Sequence, residues 1–380
     1  MLAQGVRRFV LPWSLPPEID ERELLFVPYL RFKGAVLYVS GTEFKHKLID
    51  TTQLGMDQPG LPPSLGLRPQ AMKVKPVVAD MAGRFLEQTL DIKTVFSQAV
   101  KIALLFSKKK NSNLYHRAFI GESISKIYQP YYIHKEKIFD AVDNTSIGSS
   151  IYFETYEGKN FSSRKVWEPR FISTICPGCG GPLEGEQDSL ALHCTNCETF
   201  WQELGGKFKP LQWSVVSSSA GTAKFLPFWK INFKTTVPVL ESFGDFLRFT
   251  NQPVLVRKEH DSLDLCFWFP AFKINPKSFL QAARQLTLSQ QRIPEGERGR
   301  INNPYPVTLP WKEAVQAIKG VLAETALNKR DVYPVLPKIS INMSSYSLRY
   351  LPFTVHSHDL VQEQTGVTIV SAALKYGRKL

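Results

Sequence analysis

The chain has 380 residues, of which 43% are hydrophobic and 12% aromatic, so it can bury two or three domain cores and is not a disordered polypeptide. Its net charge of +13 favours anionic partners such as nucleic acid, a membrane surface or an acidic protein. No apolar run reaches the length that spans a bilayer, and residues 1–10 lack the apolar segment and cleavage site of a secretory signal, so we expect a cytoplasmic protein.

The first predicted unit, residues 1–150, combines strands with helices. Aromatic and aliphatic residues predict one strand over 24–39 and another over 128–133. Pro76 fits the first turn of a helix, where its missing N–H costs nothing, and we expect a helix to begin there. Apolar residues at helical spacing predict a further amphipathic helix over 95–106.

The middle segment, residues 151–222, contains two pairs of cysteines with metal-ligand spacing. Cys176 and Cys179 form one Cys-x-x-Cys turn, Cys194 and Cys197 form the other, and fourteen residues separate the two turns. Each turn points two thiolates at one cation, and two such turns close a tetrahedral site with four sulfur ligands. A closed site of this kind is structural, because it leaves no coordination position for a substrate. A pair of redox-active dithiols without metal is the alternative.

The four cysteines make residues 172–203 resemble the zinc-ribbon class. The resemblance implies one structural Zn²⁺ ion held by Cys176, Cys179, Cys194 and Cys197. It covers less than a tenth of the chain. It is specific for a metal but not for a role, because ribbons occur in nucleic-acid enzymes, ribosome-linked proteins and assembly scaffolds.

Iron is the rival metal for such a cysteine set. The iron-binding rubredoxins have a glycine after both Cys-x-x-Cys pairs and a longer stretch between them. Here Gly180 follows the first pair, but Glu198 follows the second. This difference favours zinc over iron.

The predicted ribbon is an acidic region within a basic chain. Residues 171–206 contain no lysine and no arginine but five carboxylates. Four thiolates around Zn²⁺ add about two further negative charges. Since phosphate contacts supply most of the affinity for nucleic acid, this ribbon would repel a phosphate backbone. We therefore expect it to dock a protein or to pack against the rest of the chain.

The second predicted unit, residues 223–380, repeats the plan of the first. Strands are predicted over 224–237 and 350–355, one helix from Pro276 and another after Trp311. The fifth cysteine, Cys266, lies in an apolar run and is predicted to be a small core residue.

A stretch rich in glycine and proline, residues 291–309, interrupts the second unit. It predicts a long surface loop that Arg292, Arg298 and Arg300 make basic. The loop is either a solvated connector or a binding loop.

Short motifs recur in the same order in both units, which predicts an internal duplication. The matched segments are 26–32 with 225–231, 71–76 with 271–276, 98–101 with 316–319, and 128–134 with 350–356. We therefore predict an α+β fold of two homologous α+β repeats, which can pack about a pseudo-two-fold axis, with the zinc ribbon between them.

Few residues outside the cysteines suggest chemistry. His134 and His356 occupy matching positions, and His358 lies two residues further on, where alternate residues of a strand share a face. These histidines either bind a metal ion or an anion, or simply form the polar face of a strand. Lys73 and Lys273 also match, and either cradle an anion at a helix N-terminus or form ion pairs within each repeat.

The leading functional hypothesis is a non-catalytic cytoplasmic scaffold or adaptor that mediates protein–protein interaction in a larger assembly. The alternative is a basic nucleic-acid-binding protein that uses Lys108–Lys110 and the loop arginines, but not the acidic ribbon. A third hypothesis is an enzyme with its site between the repeats, to which His134, His356 and the matched lysines Lys73 and Lys273 contribute. The chain lacks a phosphate loop, a dinucleotide-binding motif, a His-Glu-x-x-His motif and a nucleophile elbow.

Peripheral contact with a membrane surface is also compatible with the net charge.

Overall fold

The described part of the chain is a mixed α+β structure that consists mostly of β-sheet. The computed structural model describes residues 2–4, 6–78, 80–92, 94–95, 113–150, 170–218 and 221–377. The helix predicted over 95–106 lies outside these residues except for Val95, and Lys108–Lys110 lie outside them entirely.

Twenty strands occur within the described residues. They are β1 (Leu2–Gln4), β2 (Arg7–Val10), β3 (Leu25–Ser40), β4 (Glu43–Leu54), β5 (Lys75–Pro76), β6 (Arg84–Phe85), β7 (Leu114–His134), β8 (Lys137–Asp140), β9 (Thr145–Ser149), β10 (Arg170–Ile172), β11 (Leu183–Glu184), β12 (Ala191–Cys194), β13 (Thr199–Leu204), β14 (Lys207–Pro210), β15 (Trp213–Val215), β16 (Lys224–Thr235), β17 (Cys266–Pro270), β18 (Ile341–His356), β19 (Asp359–Gln362) and β20 (Thr368–Val370).

Seven α-helices occur within the same residues. They are α1 (Arg68–Ala71), α2 (Phe243–Phe249), α3 (Lys258–Ser262), α4 (Pro276–Leu288), α5 (Trp311–Thr325), α6 (Lys329–Val332) and α7 (Ser371–Gly377). Among the described residues there is no helix with the length and apolar character needed to cross a membrane.

The first large sheet is built on the antiparallel pair β3 and β7. The prediction over 24–39 matches β3, whereas the prediction over 128–133 covers only the last part of β7. The strand order is β4-β3-β7-β2-β5, with β6 on β3 and with β8 and β9 continuing from β7. Alternate residues of the central strands enter two different clusters. Tyr29 and Tyr131 are buried in one, whereas Phe26 and Tyr128 are buried in the other. The sheet is therefore covered on both faces.

The helix predicted to begin at Pro76 is wrong. Lys75 and Pro76 form the short strand β5, which pairs with β2. Pro276 does begin helix α4, because the Asn275 side chain accepts a hydrogen bond from the Ser278 backbone N–H at 2.9 Å and caps the first turn. Lysine cannot accept such a bond, so the first unit lacks the capping residue that starts the helix in the second.

The second large sheet contains β17, β16, β18, β19 and β20 in that order, with β15 pairing in parallel with β18. The strands predicted over 224–237 and 350–355 are confirmed as parts of β16 and β18, and the helix predicted after Trp311 is confirmed as α5. Trp229, Phe267 and Phe269 are almost completely buried between this sheet and its helices. The fifth cysteine, Cys266, is buried at the start of β17, as predicted.

The predicted loop over 291–309 is irregular for most of its length but is not simply a solvated connector. Ile301, Val307 and Leu309 are buried in the core of the second sheet, whereas the three loop arginines are exposed. Backbone N–H groups of Val215 and Glu297 donate to each other's carbonyl oxygens at 2.9 and 3.0 Å. The loop is thereby joined to β15.

The two large sheets contact each other through α5. Leu37 and Ile120, from the far ends of β3 and β7, belong to the same buried cluster as Ile318 of α5. The Gly121 backbone N–H donates to the Glu313 carboxylate at 2.5 Å. The described parts of the two predicted units therefore pack against each other.

Candidate metal centre

The four predicted cysteine ligands converge on one point. Their Sγ atoms all lie within 4.8 Å of one another. The Sγ atoms of Cys176 and Cys197 are 3.6 Å apart, and those of Cys179 and Cys194 are 3.4 Å apart. A disulfide needs about 2 Å between the sulfur atoms, so these are free thiols rather than crosslinks. Tetrahedral Zn²⁺ with bonds of about 2.3 Å requires sulfur atoms about 3.8 Å apart, which the observed separations approach.

Tight backbone turns hold the thiols in this arrangement. The Cys176 backbone N–H donates to the Gly181 carbonyl at 2.8 Å, and the Gly180 N–H donates to the Cys176 carbonyl at 2.9 Å. Gly180 has φ +74°, and Glu198, the residue that follows the second pair, has φ 54°. Both turns therefore need a left-handed residue after the second cysteine, and only the first turn uses the glycine that adopts this conformation without strain.

Gly181 is required for a different reason. A Cβ atom there would lie 3.1 Å from the Asn196 Cβ, 3.4 Å from the Cys179 Sγ and 3.5 Å from the Cys194 Sγ. A side chain at this position would press on the cluster, so the glycine lets the two turns approach each other.

A four-stranded antiparallel sheet, β11-β12-β13-β14, carries the cluster. We call this sheet together with its two cysteine turns the ribbon. Its buried residues alternate between two faces, as expected for a strand. Leu192, Cys194 and Trp201 pack together with Leu183 and Cys176 on the metal side. The intervening residues point to the opposite side, towards the second sheet.

The protein environment shifts the pKa values of the Cys179 and Cys194 thiols in opposite directions. Hydrogen bonding with the Asn196 side chain, and then with the Gly181 backbone, lowers the pKa of the exposed Cys179 thiol to about 6. Burial raises the pKa of the Cys194 thiol to about 11. A coordinated thiol is deprotonated, so a cation bound here displaces the Cys194 proton at neutral pH.

These residues fit a metal ion. The donor set is four sulfur atoms, which suits soft or borderline cations such as zinc. Two of the cysteines are buried and two are exposed, so an ion can enter from solvent. With four sulfur ligands in place, no coordination position is left for a substrate.

Aromatic side chains join the ribbon to the second sheet. Phe200 stacks on His193 with ring centroids 4.4 Å apart, and lies 4.9 Å from Trp213 and 5.3 Å from Tyr350. We call these four residues the junction cluster. Packing of the ribbon against the rest of the chain was one of two expectations, but these particular residues were not predicted. Ala191 and His193 lie two positions apart on β12 and could have suggested a second buried face.

Hydrogen bonds reinforce the junction cluster. The Gln202 side-chain amide donates to the Tyr346 hydroxyl at 2.6 Å, and the Leu190 N–H donates to the Val307 carbonyl at 2.7 Å. Burial lowers the pKa of His193, and its Nε2 atom has no hydrogen-bond partner among the described residues. The imidazole therefore acts as a neutral packing ring.

The other candidate residues do not form a site with one another. His134 and His356 each end a long strand at a hairpin, and His358 lies in the turn rather than on the strand. The His356 Nε2 atom is 3.0 Å from the Thr354 hydroxyl. Within the described ranges, the four cysteines form the single group of three or more potential ligands close enough to share an ion.

An apolar cavity of about 220 Å³ lies where the two large sheets meet. Lys33, Asp50 and Lys273 are among its lining residues, whereas His134 and His356 are not. Of the matched lysines, Lys273 thus reaches the space between the units, while Lys73 is an exposed surface residue. The two lysines, which the sequence motifs align, therefore do not occupy equivalent places in the structure.

No protein-family model, no curated protein and no solved structure matches the chain.

Proposed function

We propose that the chain is a non-catalytic, zinc-binding scaffold that mediates protein–protein interaction in a larger assembly. The observation that carries this proposal is the junction cluster. Buried cysteines lie on one face of the ribbon, and the other face packs against the second sheet. A metal-locked ribbon in this position fixes the shape of a larger body, which is what a scaffold needs.

One structural Zn²⁺ ion held by Cys176, Cys179, Cys194 and Cys197 is part of the proposal. The sulfur separations and the closed donor set support it. Glu198 follows the second cysteine pair, where the rubredoxins have a glycine, and this supports zinc over iron.

The internal duplication is also part of the proposal, and strand register supports it. In the first sheet Pro28 lies opposite Tyr128, and in the second Pro227 lies opposite Tyr350. These are the residues that the sequence motifs align. The two central strand pairs therefore share one register as well as one motif.

Neighbouring strands extend this correspondence. Val10 lies opposite Tyr128 on a parallel strand, and Val215 lies opposite Tyr350 on another. The hairpins that follow place His134 opposite Lys137 in the first sheet and His356 opposite Asp359 in the second. The paired elements recur in the same order along the chain.

Loop contacts support the same alignment. The Gly55 N–H donates to the Pro28 carbonyl at 2.9 Å, and the Ala271 N–H donates to the Pro227 carbonyl at 3.0 Å. This contact aligns Ala271 with Gly55 rather than with Ala71, which the motif match had chosen. A shared ancestral unit explains both the registers and this loop contact.

The proposed domains are residues 1–150, residues 151–222 with the ribbon core at 172–203, and residues 223–380. Strand β15 lies in the middle segment but pairs with β18 of the second sheet. In this proposal the last part of the middle segment therefore fastens the ribbon to the third domain.

The proposed partner is a protein that meets the acidic surface of the ribbon. Glu184 and Glu186 are exposed there, beside the junction cluster, because Glu184 lies opposite His193. Residues 171–206 contain no lysine and no arginine. A cytoplasmic location belongs to the same proposal, because free thiols persist in a reducing compartment.

Two measurements test the proposal at different levels. Native mass spectrometry of the chain isolated from its own host should give the chain with one zinc ion and a defined protein in fixed stoichiometry. Nuclease treatment should leave this complex intact. A complex that is lost on nuclease treatment, or a chain isolated with no metal and no protein, would contradict the scaffold.

Limited proteolysis tests the zinc itself. Chelation should expose residues 170–210 to cleavage before the two large sheets are cut. Equal resistance with and without chelator would remove the structural role of the metal.

A further inference from the structure

A polar cavity of about 390 Å³ lies where β16 and β18 meet β15 and the loop over 291–309. Lys230 of β16 and Ser347 of β18 lie opposite each other on its floor, and Arg349 lies beside them. The residues that alternate with these, such as Trp229 and Leu348, point into the core instead. Loop residues 295–298 form one wall.

Two cations in this cavity share one carboxylate. The Lys230 Nζ atom is 3.0 Å from one oxygen of Glu295, and the Arg349 Nη2 atom is 3.2 Å from the other. The side chains of Lys230 and Arg349 are only 20% and 19% exposed, whereas that of Glu295 is 76% exposed. Glu295 is the single acidic residue among those described in the lining. These cations lower the pKa of its carboxyl group.

A third cation completes the positive charge. Arg298 lines the same cavity and forms no ion pair within the described part of the chain. Three cations therefore face one carboxylate, which leaves a local charge excess of two. Charges of one sign held this close are stabilised by an anion between them.

Serine hydroxyls orient the guanidinium group and add donors. The Arg349 Nη1 atom donates to the Ser214 hydroxyl, and its Nε atom donates to the Ser347 hydroxyl at 3.3 Å. A hydroxyl oxygen that accepts from arginine keeps its own proton free to donate. Both hydroxyl groups can therefore contribute a hydrogen bond to an anion in the cavity.

The backbone of the loop is held in place, but the carboxylate of Glu295 can move away from Lys230 and Arg349. A Cβ atom on Gly296 would lie 2.6 Å from the Ser214 Oγ and 2.7 Å from the Val215 carbonyl oxygen, so only glycine fits there. The paired backbone hydrogen bonds between Val215 and Glu297 hold the next residue. The exposed side chain of Glu295 can turn into solvent without moving this backbone.

We propose that this cavity binds the phosphate group of a small phosphate monoester, with Glu295 as a built-in competitor. The phosphate replaces the carboxylate on Lys230 and Arg349 and also pairs with Arg298. A dianion matches the charge of the site better than one carboxylate, and arginine binds phosphate oxygens in pairs. A cavity of this volume lies in the range of small-molecule sites and has room for an organic group beyond the phosphate. The proposal does not depend on zinc or on the scaffold role.

Calorimetric titration of the full chain tests the site, with inorganic phosphate and glycerol 3-phosphate as probes at constant ionic strength. The substitution Glu295→Gln should tighten phosphate binding about tenfold, because it removes the competing charge and keeps the shape. Arg349→Gln should weaken binding at least about 30-fold. Glu297→Gln, which removes the same charge two residues away, should leave the affinity unchanged.

Three results would overturn the proposal. One is the absence of saturable phosphate binding in the Glu295→Gln variant, whose exposed position poses no risk to folding. Another is equal affinity in Arg349→Gln and wild type, with thermal unfolding showing that the variant is folded. The third is binding of a single-stranded oligonucleotide without terminal phosphate in place of the monoester, which would assign the site to a nucleic-acid backbone. Loss of the phosphate site would leave zinc content and protein complexes unchanged, so the two proposals fail separately.

Discussion

The ribbon and the second sheet share the junction cluster, but different forces hold each of them together. On its metal side the ribbon has a core of five buried residues, and two of them are cysteines. The second sheet buries many large aromatic side chains, including Trp229, Phe267 and Phe269. A core as small as that of the ribbon does not offset the entropy of folding without a metal. From this difference in core size we expect the stability of the ribbon to depend on a bound metal and that of the second sheet not to.

The largest expected effect comes from removing a buried ligand. Cys194→Ser should abolish zinc binding and unfold the ribbon, because structural zinc sites contribute about 10–16 kcal/mol of binding free energy. Hydrogen exchange should show the amides of β12 and β13 losing protection while those of β16 and β18 keep most of theirs.

Cys266→Ser is the matched control for this prediction. Cys266 is equally a buried cysteine, but it lies in the second sheet, where its thiol donates to the Gln290 side chain at 2.7 Å. Burial raises its pKa to about 11, as expected for an inert thiol. Zinc content should stay at one per chain. A ribbon that keeps its protection in Cys194→Ser would refute the distinction between the two regions.

The next effect concerns the junction cluster. Phe200→Ala should destabilise the protein by about 3–5 kcal/mol in urea unfolding, as a deleted buried phenylalanine does, while zinc stays bound. Phe208→Ala is the control, because Phe208 is in the ribbon but only partly buried and lies on the metal side. An equal or larger loss for Phe208→Ala would show that the metal side, not the junction, holds the ribbon in place.

Acid should act on the body of the fold at a site remote from the cysteines. Burial, with a contribution from the nearby Lys319, lowers the pKa of His116 to about 4. The unfolded chain then binds a proton at higher pH than the folded chain, so stability is constant above about pH 6.5 and falls as the pH drops towards 4. The loss reaches at most about 3 kcal/mol at pH 4.

Comparison of variants separates this effect from loss of zinc in acid. Urea unfolding between pH 4 and 8 should show a weaker pH dependence for His116→Gln than for wild type. The exposed His46 supplies the control variant His46→Gln, which should follow wild type. Parallel curves for wild type and His116→Gln would exclude His116 as the titrating group.

The smallest effect compares the two cysteine turns. Glu198→Gly should stabilise the ribbon by about 1 kcal/mol, because Glu198 is strained at positive φ. Gly180→Ala should cost a similar amount, because no atom lies near a Cβ there and the strain comes from the backbone alone. Thermal unfolding of the zinc-loaded protein measures both changes. Shifts in the same direction would show that the two turns are not equivalent.

The sequence was most informative where chemistry and spacing coincide. Two Cys-x-x-Cys turns suffice to predict a four-sulfur cluster, because each turn orients its own ligands. The strands at 24–39 and 224–237 and the helix at Pro276 were predicted for the same reason, since each has a local pattern. Pro76 failed because the proline was considered without the capping residue that Asn275 provides in the other unit.

Contacts set by long-range register could not be predicted. The phosphate cavity brings together Lys230, Arg349 and Glu295, which belong to two strands and a loop. None of these residues has a local signal of its own. The junction cluster likewise depends on Phe200 meeting Tyr350, 150 positions further along the chain. The pairing of β15 with β18 and the hydrogen bond between Gln202 and Tyr346 hold the ribbon and the second sheet together around these two residues.

The central place of β18 in the second sheet also sets an order of events during synthesis. Strand β16 ends at Thr235, and its partner β18 ends at His356. At about 5–20 residues per second, a ribosome needs about 6–24 s to make the intervening chain. The ribbon is complete by Pro210 and can therefore take up its metal during this interval. The nascent ribbon then presents a finished aromatic face on which β18 assembles.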